Sequence, residues 1–195
     1  MASSCKGWVC ALTAAERAAR WHAQQRHKGV AQEPFINHLI EVAVLVTTAT
    51  DGNDPILTTA AFLHDAAEKA DIPPSQIRSE FGDAVYELVV EVTDDKSLSK
   101  DGRRRRQIET AASKSMKAKM IMLADKTSNL RALAEYAPAG TAEENPLEYA
   151  EWAEKVANGL RGVSPWLEQQ FEQALSAVRT KIGQLHANRP ASLRR

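Results

Sequence analysis

A chain of 195 residues, 44% hydrophobic and 26% charged, has the composition of one ordinary globular domain with a full core. Lysine plus arginine equals aspartate plus glutamate at 25 each, so no net field steers the molecule onto nucleic acid or an anionic membrane, and any anion binding must be local. The opening MASSCKGWVC lacks a basic start followed by a long apolar run, no stretch approaches the roughly 20 apolar residues of a membrane span, and Cys5 and Cys10 have neither CxxC spacing nor a histidine cluster, so a soluble, cytoplasmic protein without zinc ribbon or disulfide framework is expected.

Thr13 and Glu16 form a T-x-x-E capping box, which predicts a first helix running to about His27 before Gly29 and Pro34 break it. Asn37 is the expected N-cap of HLIEVAVLVTTAT, where Leu39, Val42, Ala43 and Val46 recur at helical spacing until Gly52. Asp54 followed by Pro55 starts a third helix, ILTTAAFLHDAAEKA. PPSQIRSEFG reads as a short helical turn ended by Gly82, and DAVYELVVEVT as a helix with some strand character.

DDKSLSKDGRRRR is polar and predicts a loop running into an exposed helix, with the arginines at 103 to 106 as a solvated helix start. In KAKMIMLADKTSNLRALAEY, Met120, Leu123, Leu130 and Leu133 share a helical face. Thr141 with Glu144 predicts the cap of a helix through about Arg161, and Ser164 with Pro165 opens the last, through about His186. With no hairpin signal and no repeat, an all-α domain over 13–186 is expected between a flexible N-terminus, 1–12, and a flexible tail, 187–195. Trp152, Trp166 and Phe171 are expected to pack the C-terminal helices, and His22 and His186 have no partner pattern.

On the helix predicted over 55–69, Glu68 lies four residues after His64 and three after Asp65, so the three project from neighbouring parts of one face. Imidazole and carboxylate together can hold a divalent metal. The same segment also reads as an ordinary surface, because Asp65 and Lys69 at i, i+4 can make an exposed salt bridge worth about 0.3–0.5 kcal/mol. The flanking segments add His38 upstream and, downstream, Asp125 with Asn129 one turn later.

This set resembles the HD-domain metal hydrolases. PFINHLIEVA, AAFLHDAAEKAD, FGDAVYELVVEVTDDKSL and LADKTSNLRAL stand in the order and spacing of the Rel/SpoT hydrolase domain, and the size is similar to that of the small alarmone hydrolases, which include the animal SpoT homologue. The resemblance spans about residues 14–170 and leaves no length for a synthetase domain. It implies a compact HD-type helical bundle, with Mn²⁺ held between helices by His38, His64, Asp65 and Asp125 in a six-coordinate shell with open positions for water and a phosphate oxygen. The implied reaction is hydrolysis of the 3′-diphosphate of (p)ppGpp with release of pyrophosphate, with Glu68 as general base. Asn129, Lys96 and Tyr149 match substrate-contacting positions, an amide, a mobile point charge and a ring with one hydroxyl.

Two departures bear on substrate. The family continues His-Asp-x-x-Glu-Asp, and this chain has Lys69 in place of the last carboxylate, a local change of two charge units at the catalytic centre. The family also has a base-stacking arginine directly before the lysine that is Lys28 here, whereas this chain has His27 there and Arg26 one position earlier. Adjacent helical positions are rotated by about 100°, so Arg26 can substitute only if the helix end is irregular. The substrate is therefore expected among ppGpp, (p)ppApp and NADPH-like nucleotides. A nucleotide phosphatase, or an alarmone-binding regulator weakened by Lys69, is the alternative, and the oligomeric state stays open.

Overall fold

The computed structural model describes residues 6–27, 32–136 and 145–187. Among them the chain forms α1 (Gly7–Trp21), α2 (Phe35–Ala49), α3 (Pro55–Leu63), α4 (Ala66–Lys69), α5 (Pro74–Phe81), α6 (Asp83–Val92) and α7 (Lys100–Thr110), then a single 3₁₀ turn (Ala111–Ser113), α8 (Met116–Tyr136), α9 (Pro146–Leu160) and α10 (Pro165–Ala187). No strand occurs among the described residues, only an isolated bridge between Arg26 and Pro34, so the all-α expectation holds. No described helix is long and apolar enough to cross a membrane.

The central element is α8, packed against α10, α9 and α2, while α3 lies against α1, α2 and α6. Ile121, Leu123, Ala124 and Leu130 of α8 are fully buried, as are Val42 and Val46 of α2 and Leu57, Ala60 and Leu63 of α3. These apolar stripes meet in one main core, beside which Ala18, Phe35 and Leu39 form a smaller cluster, while α7 buries no residue. Phe171 joins that core as expected, whereas Trp166 remains more than one-third exposed.

Several boundaries differ from those the sequence predicts. Thr13 does not cap α1, because its hydroxyl donates to Val9 O at 2.8 Å from inside the helix. The stripe Cys10, Ala11, Ala14 and Ala18 is buried, so packing draws residues 7–12, expected as flexible N-terminus, into the domain. Asn37 lies within α2, whose N-cap is Pro34, and its amide donates to Glu33 Oε2 at 3.3 Å. Thr141 and Glu144 lie outside the described residues, and α9 is capped instead by Asn145, which accepts from Leu147 N at 3.0 Å.

Other signals hold. Asp54 accepts from Leu57 N with Pro55 at the first helical position, Ser164 accepts from Leu167 N ahead of Pro165, and Gly82 ends α5 with φ 87°. One glycine is required by a close approach: a Cβ on Gly159 of α9 would stand 2.7 Å from Ala111 Cβ in the 3₁₀ turn.

Candidate active site

The helix predicted across His64 and Asp65 is broken there into α3 and α4. His64 turns its Nδ1–H onto Ala61 O at 2.7 Å, and Asp65 sits at φ −98°, ψ −1°, so the pair forms a corner rather than a helical face. Across from it, α2 presents His38 and α8 presents Asp125. The Nε2 atom of His38 lies 3.3 Å from Asp125 Oδ1 and 3.9 Å from Asp65 Oδ2, and that of His64 lies 3.8 Å and 3.4 Å from the same two atoms.

Hydrogen bonding fixes the tautomers. Ser128 gives its proton to Glu41 Oε2 at 2.6 Å, so the 2.9 Å contact with His38 must be donated by Nδ1–H. His64 Nδ1 faces a carbonyl, which only accepts. Each neutral ring therefore aims an Nε2 lone pair inward, and both Nε2 atoms are buried without a hydrogen bond. Donor atoms of His38, His64 and Asp65 fall within 4.8 Å of one another, separations that bracket a single ion at about 2.0–2.6 Å from each. Two lone pairs and two carboxylates converging in a buried pocket fit a divalent cation.

The titration behaviour agrees with that. Burial pushes the His38 pKa down. For His64 burial is outweighed by the Asp65 and Asp125 carboxylates, and its pKa rises above the ordinary 6.5. Burial alone would raise both carboxylates. Instead His64 and Lys69 hold Asp65 at about 2, and Lys126 with the two imidazoles holds Asp125 well below the usual carboxylate range. Glu68 goes the other way, raised by burial and by Asp65 and Asp94.

Two cavities open beside this corner. The first, about 400 Å³, is walled by Arg26, His27, Phe35 and Leu133. The chain leaves α1 at Trp21, earlier than the expected His27, and Phe35 N donates back to Gln25 O at 3.1 Å. That irregular stretch lets Arg26 and His27 face one cavity. His27 stacks on Phe35 at 6.1 Å between centroids, and its Nε2–H donates to Asn129 Oδ1 at 3.2 Å. His22, expected to have no partner, donates from Nδ1 to Gln25 Oε1 at 2.7 Å, and Gln25 in turn donates to Lys69 O at 2.6 Å.

The second cavity, about 230 Å³, holds His64, Asp65, Glu68 and Asp125 on one side and Arg103, Arg104 and Trp152 on the other. Lys69, Asn129 and Tyr149 line both cavities. Asn129 donates to Asp125 Oδ1 at 2.7 Å, and Tyr149 meets Trp152 edge-on at 5.3 Å. Lys96 borders neither cavity and donates to Asp71 at the surface. Lys28 lies outside the described residues.

Four contributors escape the sequence reading. Arg103 and Arg104 belong to the run taken for a solvated helix start, yet both face the second cavity. Trp152 was expected only to pack, but it lies between two cations, with Arg104 5.1 Å and Lys126 4.7 Å from its ring. Lys126 is buried with its ammonium on Asp125 Oδ2 at 2.7 Å. The available signal was Tyr149 to Trp152 at i, i+3, which puts both rings on one face of α9.

The chain matches the HD-domain family model over residues 14–156 and belongs to that family. It is 43% identical to the mouse (Mus musculus) guanosine-3′,5′-bis(diphosphate) 3′-pyrophosphohydrolase MESH1 over 83% of this chain and 90% of that protein. It is 44% identical to human (Homo sapiens) MESH1, again over 83% of this chain and 90% of that one. A solved structure of a metazoan SpoT orthologue that hydrolyses ppGpp superposes with a TM-score of 0.81 at 38% identity, covering 89% of this chain and 97% of that one.

Proposed function

We propose that the protein hydrolyses the 3′-diphosphate of ppGpp, or of a related alarmone such as (p)ppApp, releasing pyrophosphate. The carrying observation is the pair of inward Nε2 lone pairs of His38 and His64, facing Asp65 and Asp125 at the edge of a cavity walled by arginines. Those four residues would hold a divalent metal, Mn²⁺ in this reading, which when bound supplies Lewis-acid polarisation of a phosphoryl oxygen and a water of lowered pKa.

The residues of the chain supply the rest. Glu68 borders the same cavity, and its raised pKa suits a carboxylate that takes a proton from water near neutral pH. Arg103 and Arg104 meet the phosphates of the substrate, Arg103 steadied by donation to Leu98 O at 2.9 Å. The nucleoside then falls in the first cavity, where Arg26 and the His27–Phe35 stack offer flat faces to a base. Asn129 and Tyr149, on the border, bridge the two parts of one ligand.

Lys69 favours a second reading, an alarmone-binding protein of weakened turnover, because its ammonium lies on a would-be ligand carboxylate. One assay separates them: product release from ppGpp, ppApp and NADPH with and without Mn²⁺, alongside direct binding of each. Metal-dependent pyrophosphate from an alarmone is expected. Binding without turnover selects the regulatory reading, and orthophosphate from NADPH as the dominant product selects a nucleotide phosphatase.

A further inference from the structure

Two lysines pair with the two carboxylates of the candidate metal centre, and they do so differently. Asp125 turns Oδ1 toward the imidazoles, where it also accepts from the neutral Asn129 amide at 2.7 Å, and offers Oδ2 to Lys126 at 2.7 Å, so the ammonium stands behind the carboxylate and no cation sits on the inward oxygen. Asp65 uses one oxygen for both purposes: Oδ2 is its imidazole-facing atom, and Oδ2 also accepts from Lys69 Nζ at 2.7 Å. An ion bound there would share its oxygen with a fixed positive charge a few ångströms away, where repulsion is strong in a partly desolvated site.

Lys69 has somewhere to go. It borders both cavities, its side chain is 40% exposed, and its ammonium already rests 4.5 Å above the Phe35 ring. A rotation away from Asp65 carries the charge into the space that a phosphate would occupy. Its backbone is pinned meanwhile, since Gln25 holds Lys69 O and Asp65 O accepts from Lys69 N at 2.8 Å.

We infer that Lys69 is an internal counter-cation that competes with the metal for Asp65 Oδ2 and is drawn off by a bound anion, so that metal loading and anion binding favour each other. This inference rests on the metal site proposed above. A coupling of this kind is reciprocal: whatever factor the anion gives the metal, the metal gives the anion.

The test is a Mn²⁺ titration of the full chain, with free ion read by electron paramagnetic resonance, in the presence and absence of inorganic sulfate. The proteins are wild type, Lys69→Gln and Lys69→Met, the methionine keeping an aliphatic stem against Phe35. Both variants are expected to bind Mn²⁺ roughly tenfold more tightly than wild type without sulfate, since a nearby positive charge is gone. Sulfate should tighten Mn²⁺ binding to the wild type and have much less effect on either variant. Unchanged or weaker Mn²⁺ binding in both variants would overturn the inference while leaving the metal site standing. No Mn²⁺ binding to wild type or variants would instead overturn the metal site itself.

Discussion

The two cavities that share Lys69, Asn129 and Tyr149 are built from different kinds of backbone. The smaller one is walled by helices α7, α8 and α9 and by the α3–α4 corner, with Lys69 paired to Asp65, Lys126 to Asp125 and Arg103 held on Leu98 O. The larger one is closed by Gln25, Arg26 and His27, which follow the end of α1 outside any helix and are tied back by backbone bonds to Glu33 and Phe35 and by side-chain bonds to Lys69 O and Asn129. Rigid helices suit the part of a site where reacting atoms must be placed, and irregular backbone suits the part where substrate preference varies. Both departures from the family pattern, at His27 and Lys69, fall on the larger cavity or on the shared edge.

If this division is right, damage at the shared corner should be the most severe. Asp125→Ala is expected to abolish metal retention and to lower kcat/KM by roughly a thousandfold or more, the scale of losing a metal's Lewis-acid chemistry. Undiminished metal content in the purified variant would remove Asp125 from the site. On the rigid side, Arg103→Ala with Arg104→Ala should cost on the order of a hundredfold in kcat/KM through lost phosphate contacts, with metal content unchanged. Wild-type steady-state kinetics in the double variant would return these arginines to the solvated helix start that the sequence suggested.

The support behind His38 is a weaker lever. Ser128→Ala breaks the chain from His38 through Ser128 to Glu41, which Arg131 holds at 2.8 Å, and should weaken Mn²⁺ binding about 10-fold to 100-fold. Acidification acts on the other imidazole. A metal needs the Nε2 lone pair of His64, and the pKa of the metal-free ring is raised, so Mn²⁺ affinity should fall as pH drops, starting above 6.5 and steepening toward about tenfold per unit below the raised pKa. A titration flat from pH 8 to 6 would contradict that. On the irregular side, His27→Ala is expected to change the ratio of ppGpp to ppApp turnover only several-fold, a stacking-sized effect. An equal loss on both substrates would show that the first cavity does not read the base.

His38, His64, Asp65 and Asp125 were singled out because the segments that carry them resemble a known family, and the structure brings the imidazole Nε2 atoms within 3.9 Å of oxygens of both carboxylates. The corner at His64 was not legible. It goes with a side chain that bonds Ala61 O of its own helix, a contact that helical periodicity does not signal. Thr13 misled for a related reason: a capping box is a local preference worth about 1 kcal/mol, and burying Cys10 and Ala11 outweighs it. The arginines were hidden by averaging. A net charge of zero over the chain says nothing about two guanidinium groups placed opposite Glu68 and Asp65.

The bare Cα at Gly159 reaches further than its own neighbourhood. α9 is a single rod, and Trp152 lies seven residues back along it, roughly 10 Å away at the helical rise, with its indole N–H on Arg104 O. The gap between α9 and the end of α7 is thus gauged by one missing methyl group, and any side chain there would act as a shim, levering the indole off the arginine backbone. The wall of the second cavity is thus gauged from a position that does not itself line it.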